Sequence, residues 1–187
     1  MTEIQQKYGH LCLTPSDINQ LLPFLKDHAE KLDHITEMGT RGVVSTYAFL
    51  AGKPKKLVCY DIGKYDEVDN AERMAKEAGI EFEFHLKNVL EVDIEETDFL
   101  FIDTFHTATQ LQQELALHAD KVRKYIGFHD TTTFWERGED HYEGIGGHLN
   151  CGRGLRYAIE PFLAANPEWK VCLKVEINNG LTIIERA

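Results

Sequence analysis

The sequence predicts an α/β layered fold built on a mostly parallel sheet and closed by an antiparallel hairpin. Three observations carry this. Short apolar segments alternate with longer segments at helical spacing along most of the chain, which is the pattern of strand–helix–strand units. The segment Asp98-Phe99-Leu100-Phe101-Ile102 is almost uninterruptedly apolar, as strands covered on both faces are. The last two apolar segments flank Asn178-Asn179-Gly180, whose residue types suit a turn at positive φ and hence a hairpin.

Residues 1–33 read as an N-terminal helical segment. Its helix starts at Thr14-Pro15-Ser16-Asp17 and carries Ile18, Leu21, Leu22, Leu25 and His28 on one face. His34–Met38 is a first strand ending at Gly39, followed by a helix over Val43–Ala51 that Gly52 stops. Lys56–Tyr60 is a second strand ending at Asp61, and Glu67–Ala78 is a helix closed by Gly79. Ile80–His85 is a third strand, and Asp98–Ile102 a fourth that ends at Asp103. Thr107–Val122 is a helix, and Lys124–Phe128 a fifth strand ending at His129-Asp130. The stretch 131–152 breaks the rhythm. It is polar and aromatic, with Gly138, Gly144, Gly146, Gly147 and Gly152, and it reads as a long loop that covers a site as a lid. His141, Glu143, His148 and Cys151 in this loop lack the spacing of a zinc site. Gly154–Ala165 is a helix, and Lys170–Ile177 and Leu181–Arg186 are the strands of the hairpin.

The chain has 187 residues, the size of one domain that buries a core of its own. No apolar run is long enough to span a membrane, and Met1–Tyr8 is too polar for a signal peptide. Cys12, Cys59, Cys151 and Cys172 form no CxxC pair, so a reducing cytosol is the expected compartment. The formal net charge of −11 argues against a nucleic-acid partner, because an acidic surface repels phosphates. A small-molecule ligand is therefore expected, and homo-oligomerisation stays open.

Ligands of open α/β sheets sit beyond the carboxyl ends of the strands. Here the strands end in Glu37-Met38-Gly39, Asp61, Asp103 and His129-Asp130. Gly39 lets a ligand approach the backbone, and the following helix offers free N–H groups. Asp61 follows Gly39 by about 20 residues, the separation at which an acidic residue accepts from ribose hydroxyls. Asp103 and Asp130, ending neighbouring strands, can together hold a hard divalent cation, and His106 can take a proton near neutral pH. The same residues also suit turns and caps, with His106 capping the helix at Thr107 and His129 as a supporting group.

In their order and spacing these pieces resemble the class I S-adenosylmethionine-dependent methyltransferases, closest to small-molecule O-methyltransferases and cephalosporin-hydroxylase-like members. The resemblance runs over residues 34–186. It rests on Ile35-Thr36-Glu37-Met38-Gly39 with Ser45-Thr46, on Asp61, on Asp98–His106, on Gly127-Phe128-His129-Asp130, and on Gly154–Ile159 leading to Asn166-Pro167-Glu168-Trp169. It implies a Rossmann-like three-layer sandwich whose seven-stranded sheet ends in a reversed hairpin, and S-adenosylmethionine as cofactor. Glu37 and Gly39 would line the methionine part, Asp61 the ribose, and Asn88 or Val89 the adenine. Thr40, Gly42, Ser45 and Asp103 would complete the cofactor set.

Metal-dependent relatives bind Mg2+ through an Asp after the fourth strand and an Asp-Asn pair after the fifth. Asp103 and Asp130 match the two Asp positions, Thr131 stands in place of the Asn, and His106 matches the general base, with Asp103 beside it in the catalytic pair. The implied activity is methyl transfer to a hydroxyl of a small molecule, assisted by a divalent cation. The chain departs from the pattern where Val43 stands at the second glycine position and Gly42 lies one residue early. That departure leaves two alternatives, an accessory module that keeps the fold without catalysis and a related enzyme of nucleotide-sugar or dinucleotide chemistry.

Overall fold

The computed structural model describes residues 1–139 and 152–187. Its sheet contains β1 (His34–Met38), β2 (Lys56–Asp61), β3 (Glu81–Leu86), β4 (Thr97–Ile102), β5 (Val122–His129), β6 (Trp169–Val175) and β7 (Leu181–Arg186). The seven strands lie in the order β3-β2-β1-β4-β5-β7-β6. The pairs among β1–β5 are parallel, whereas β7 runs antiparallel to both β5 and β6. This is the Rossmann-like, mostly parallel sheet with a reversed C-terminal hairpin that the sequence predicts. The hairpin turns at Asn178, Asn179 and Gly180, with φ of 51°, 70° and 97°.

The helices are α1 (Glu3–Leu13), α2 (Leu22–Ala29), α3 (Val44–Gly52), α4 (Glu67–Glu77), α5 (Ala108–His118) and α6 (Arg156–Ala165). The N-terminus differs from the sequence reading. Residues 3–13 are helical, and Thr14–Asp17, expected to start a helix, form a connection instead. Helix α1 has a thin apolar face, with Ile4 buried and Tyr8, Leu11 and Cys12 partly buried against the core, among otherwise polar residues. It is held by a capping box, in which Thr2 Oγ1 accepts from Gln5 N and Gln5 Oε1 accepts from Thr2 N.

The strands alternate between two cores. Phe99 and Phe101 pack with Leu21, Leu25, Tyr47 and Phe49 under α2 and α3. Leu100 and Ile102 face the other way, onto Leu111, Leu115, Ala158 and Ile159 of α5 and α6. Period-two alternation between two covered faces explains the continuous apolar run of β4. The layers leave the carboxyl ends of β1, β2, β4 and β5 along one edge, with strand order reversing between β1 and β4, the crevice where such sheets bind ligands.

The expected lid, 131–152, is described only at its ends, and the part holding His141, Tyr142, Glu143, His148 and Cys151 lies outside the described residues. Its first described end is fastened to the body. Phe134 N donates to Asp130 O, Glu139 N to His106 O, and Gly154 N to Glu136 O. Among the described residues no helix is long and apolar enough to cross a membrane.

Candidate active site

A cavity of about 410 Å³ opens at this edge, a size within the range of small-molecule and cofactor sites. Gly39, Asp61, Asn88, Val89, Asp103, His106 and Asp130 all line it. Of the other residues singled out from the sequence, Thr40 and Gly42 lie in the β1–α3 turn, Ser45 in the first turn of α3, Glu37 in β1 and Thr131 just after Asp130, and none of the five lines the cavity.

The turn after β1 is fixed by close backbone contact. Gly39 has φ +86°, and a Cβ there would lie 2.0 Å from the carbonyl oxygen of Asp103. Gly39 N donates to Tyr60 O and Asp103 N to Met38 O, both at 2.8 Å, so the ends of β1, β2 and β4 are tied together. Asp61 then clamps the loop. Its Oδ2 accepts from Thr40 N and Arg41 N at 2.8 Å and from Thr40 Oγ1 at 3.1 Å, and its Oδ1 from Gly63 N at 2.9 Å. Val43, at the second glycine position, is buried and holds φ +62°, a conformation unusual for a β-branched residue. The glycine-like backbone is thus kept without the glycine.

Glu37 is completely buried and accepts from Ser45 Oγ at 2.5 Å, Thr46 Oγ1 at 2.6 Å and Cys59 Sγ at 3.3 Å. Burial pushes its carboxyl up to about 7, against the lowering effect of those three donors. Glu37 and Ser45 therefore meet each other at the base of α3 and hold its first turn against β1.

Across the cavity, two histidines flank two carboxylates. His129 Nδ1 lies 3.2 Å from Asp103 Oδ1 and 3.3 Å from Asp130 Oδ2. His106 Nε2 lies 3.2 Å from Asp103 Oδ1 and 3.0 Å from Asp130 Oδ2. Burial disfavours every charge here, but the opposite charges outweigh it. Asp103 is held down to about 2 by His129 and His106, Asp130 lies well below the carboxylate range, His129 rises to about 10, and His106 rises well above its ordinary value. The His106 ring stacks on Phe134 at 4.9 Å between centroids, and its Nδ1 lies 3.0 Å from Glu139 Oε2.

Thr131, expected as a further metal ligand, has its hydroxyl engaged elsewhere. Its hydroxyl accepts from Thr182 Oγ1 at 3.0 Å in a buried position. Asp130 has φ +58°, and the chain turns Thr131 toward β7 as it leaves the strand. His129, expected as a supporting group, joins the two carboxylates instead: atoms of Asp103, His129 and Asp130 that could ligate an ion lie within 4.8 Å of one another. Asp130 Oδ1 is buried and has no hydrogen-bond partner. An orphaned carboxylate oxygen beside a convergent nitrogen and oxygen is what a cation would satisfy, so these residues fit a divalent ion.

Glu139 and Glu114 were not found from the sequence. Glu139 lies 33 positions from His106 in an aperiodic loop, where no spacing signal exists. Glu114, fully buried on α5, accepts from Thr104 Oγ1 and Gln110 Nε2 behind the cavity wall. Its place on the buried face of α5 was the available signal.

The sequence matches no family profile and no curated protein. Solved structures do match. The chain is similar to an O-methyltransferase from Bacillus cereus in complex with SAH, at TM-score 0.65 and 20% identity, over 99% of this chain and 89% of that one. It is similar to the O-methyltransferase TomG from Streptomyces achromogenes, in complex with SAM, at TM-score 0.62 and 16% identity, over 100% and 91% of the two chains. It is also similar to a magnesium protoporphyrin IX methyltransferase from Synechocystis PCC 6803 with bound SAM, at TM-score 0.61 and 12% identity, over 100% and 85%. The chain has the class I methyltransferase fold. Within that fold, the cavity of this chain occupies the edge where the strand order reverses.

Proposed function

We propose that the chain is an S-adenosylmethionine-dependent methyltransferase acting on a hydroxyl of a small molecule, with a divalent cation as auxiliary. The observation that carries this reading is one cavity lined both by Gly39, Asp61, Asn88 and Val89 and by Asp103, His106 and Asp130. Groups suited to a nucleoside and groups suited to acid–base work thus share one cavity.

S-adenosylmethionine supplies an electrophilic methyl group, and the chain's own task is to align a nucleophile with it. Asp61 offers oxygens to the ribose, Asn88 and Val89 flank the adenine, and the Gly39–Thr40–Arg41–Gly42 turn passes beside the methionine part. Glu37 and Ser45 hold that turn from behind. His106, its ring fixed by Phe134 and Glu139, could take the acceptor's proton at Nε2 once Asp103 and Asp130 are engaged elsewhere and no longer hold that nitrogen protonated. Asp103, His129 and Asp130 would hold the cation, which lowers the pKa of an acceptor hydroxyl. The acidic net charge favours a small acceptor over nucleic acid.

One observation favours a second reading, an accessory module that retains the fold. The Asp61 carboxylate is already engaged by Thr40, Arg41 and Gly63, so ribose must share it. Calorimetric titration with S-adenosylmethionine, with MgCl2 or with chelator, tests cofactor binding. Methyl transfer to simple catechols and phenols, read by mass spectrometry, then separates the readings. Absence of cofactor binding would overturn the methyltransferase reading, and binding without any product would favour the accessory module.

A further inference from the structure

We infer that Asp103, His129 and Asp130 form a mixed nitrogen–oxygen centre that selects a first-row transition cation, of the Mn2+ to Zn2+ series, over Mg2+. The inference deepens the proposed function by naming the ion class of the same site, and it rests on that reading only for what the ion is used for.

The argument starts from His129. Its side chain is 1% exposed, and its Nε2 lies 3.2 Å from the backbone carbonyl of Asp17. A carbonyl oxygen only accepts, so Nε2 carries the ring proton. Nδ1 then faces the point where Asp103 Oδ1 and Asp130 Oδ2 converge, at 3.2 and 3.3 Å, and a cation there would take the place of the proton this nitrogen shares with the two carboxylates. Metal-ligating histidines are held in this way, with the second nitrogen donating to a backbone carbonyl that fixes tautomer and orientation. His129 is therefore built as a ligand and not as a filler.

The carboxylates are arranged for the same point. Asp130 is 4% exposed, and its Oδ1 has no partner. Asp103 is more open, with 23% of its side chain exposed on the cavity side. Its position leaves coordination places for water or an acceptor oxygen, as open sites do. His106 approaches the two carboxylates as well, but the convergent group consists of Asp103, His129 and Asp130. His106 thus stays beside the centre, with Glu139 on its other nitrogen.

The donor chemistry decides the ion. Mg2+ prefers oxygen ligands in near-ideal octahedral geometry and keeps most of its waters. Imidazole suits the borderline ions, whose affinity for such sites rises along the divalent series toward Cu2+. An Asn or Thr at this place would give an all-oxygen set, and the nitrogen of His129 changes that preference.

The test is binding of CoCl2, MnCl2, ZnCl2 and MgCl2 to the metal-free protein, by competition with a chromophoric chelator. Co2+ and Zn2+ should bind at least roughly tenfold more tightly than Mg2+. His129→Gln should lose most of that advantage while changing Mg2+ affinity little. Equal affinity of the wild type for Co2+ and Mg2+, or an unchanged ratio in a folded variant, overturns the inference. Should His129→Gln fail to fold, histidine-ring nitrogen NMR of the wild type decides. ZnCl2 should shift one ring Nδ1 resonance strongly while its Nε2 stays protonated, and no such shift means that His129 is not a ligand. S-adenosylmethionine titration in chelator keeps the two ideas apart. Cofactor binding with no transition-ion preference sinks this inference alone, and transition-ion preference with no cofactor binding sinks the methyltransferase reading alone.

Discussion

Glu114 gives the fold a pH dependence that a single substitution exposes. It is completely buried, its Oε1 accepts from Thr104 Oγ1 at 2.5 Å and Gln110 Nε2 at 2.8 Å, and its Oε2 has no partner. Burial raises its carboxyl from 4.5 to about 7, and those two donors only partly oppose this. A folded pKa above the unfolded one means that the native state holds a proton the unfolded chain has released. This stability is complete below pH 4.5 and is lost as pH rises through about 7. With about 1.4 kcal/mol per pKa unit, the loss attributable to this group is on the order of 3 kcal/mol. Glu114→Gln is close to isosteric and keeps an acceptor for Thr104 and Gln110, but does not titrate. Urea unfolding at intervals from pH 4.5 to 8 should show the variant gaining on the wild type by about that amount, with the slope m unchanged. Glu37 titrates in the same window, but it is common to both proteins and cancels in the difference. Parallel stability curves for the two proteins would refute the argument, because Glu114 would then be no more protonated in the fold than out of it.

Gly39→Ala should lower stability by roughly 3 kcal/mol or more in urea unfolding, since left-handed strain of about 1–2 kcal/mol adds to overpacking of about 1–3 kcal/mol; the added Cβ would meet the Asp103 carbonyl at 2.0 Å. An unchanged midpoint would mean that β1 and β4 are not in the contact described. Asp61→Ala should weaken S-adenosylmethionine binding by roughly 10–150-fold in calorimetry, through loss of charge-assisted hydrogen bonds. Unchanged affinity in a folded variant would remove Asp61 from the ribose site. Asp130→Asn should abolish the rise in melting temperature that CoCl2 gives the wild type, and a rise of equal size in the variant would take Asp130 out of the metal centre.

The architecture was legible because its signals are local and periodic. The β4 run, the glycine after β1 and the Asn178-Asn179-Gly180 turn each state a backbone need in adjacent residues. What stayed hidden depends on through-space arrangement. Helix α1 buries only Ile4 fully, and its stripe of Ile4, Tyr8, Leu11 and Cys12 is diluted by polar neighbours. Asp103, His106 and Asp130 could be brought to one cavity from strand ends, but the third donor of their cluster could not be assigned. That His129 converges on the two carboxylates while Thr131 pairs with Thr182 depends on the left-handed turn at Asp130. Glu139 reaches His106 from a stretch without periodicity, so only the folded loop reveals it.

The register of β4 against β1, with Met38 opposite Ile102, bears on how such a site can change over time. The alternation that sends Phe99 and Phe101 into one core and Leu100 and Ile102 into the other also decides how Asp103 leaves the sheet. A one-residue insertion in β4 would turn every one of these side chains to the opposite face. The carboxylate could then be re-aimed only by unpacking both cores at once. New acceptor preferences must therefore arise in the segments beyond the strands, such as those carrying Phe134 and Glu139, while Asp103 is inherited with the core itself.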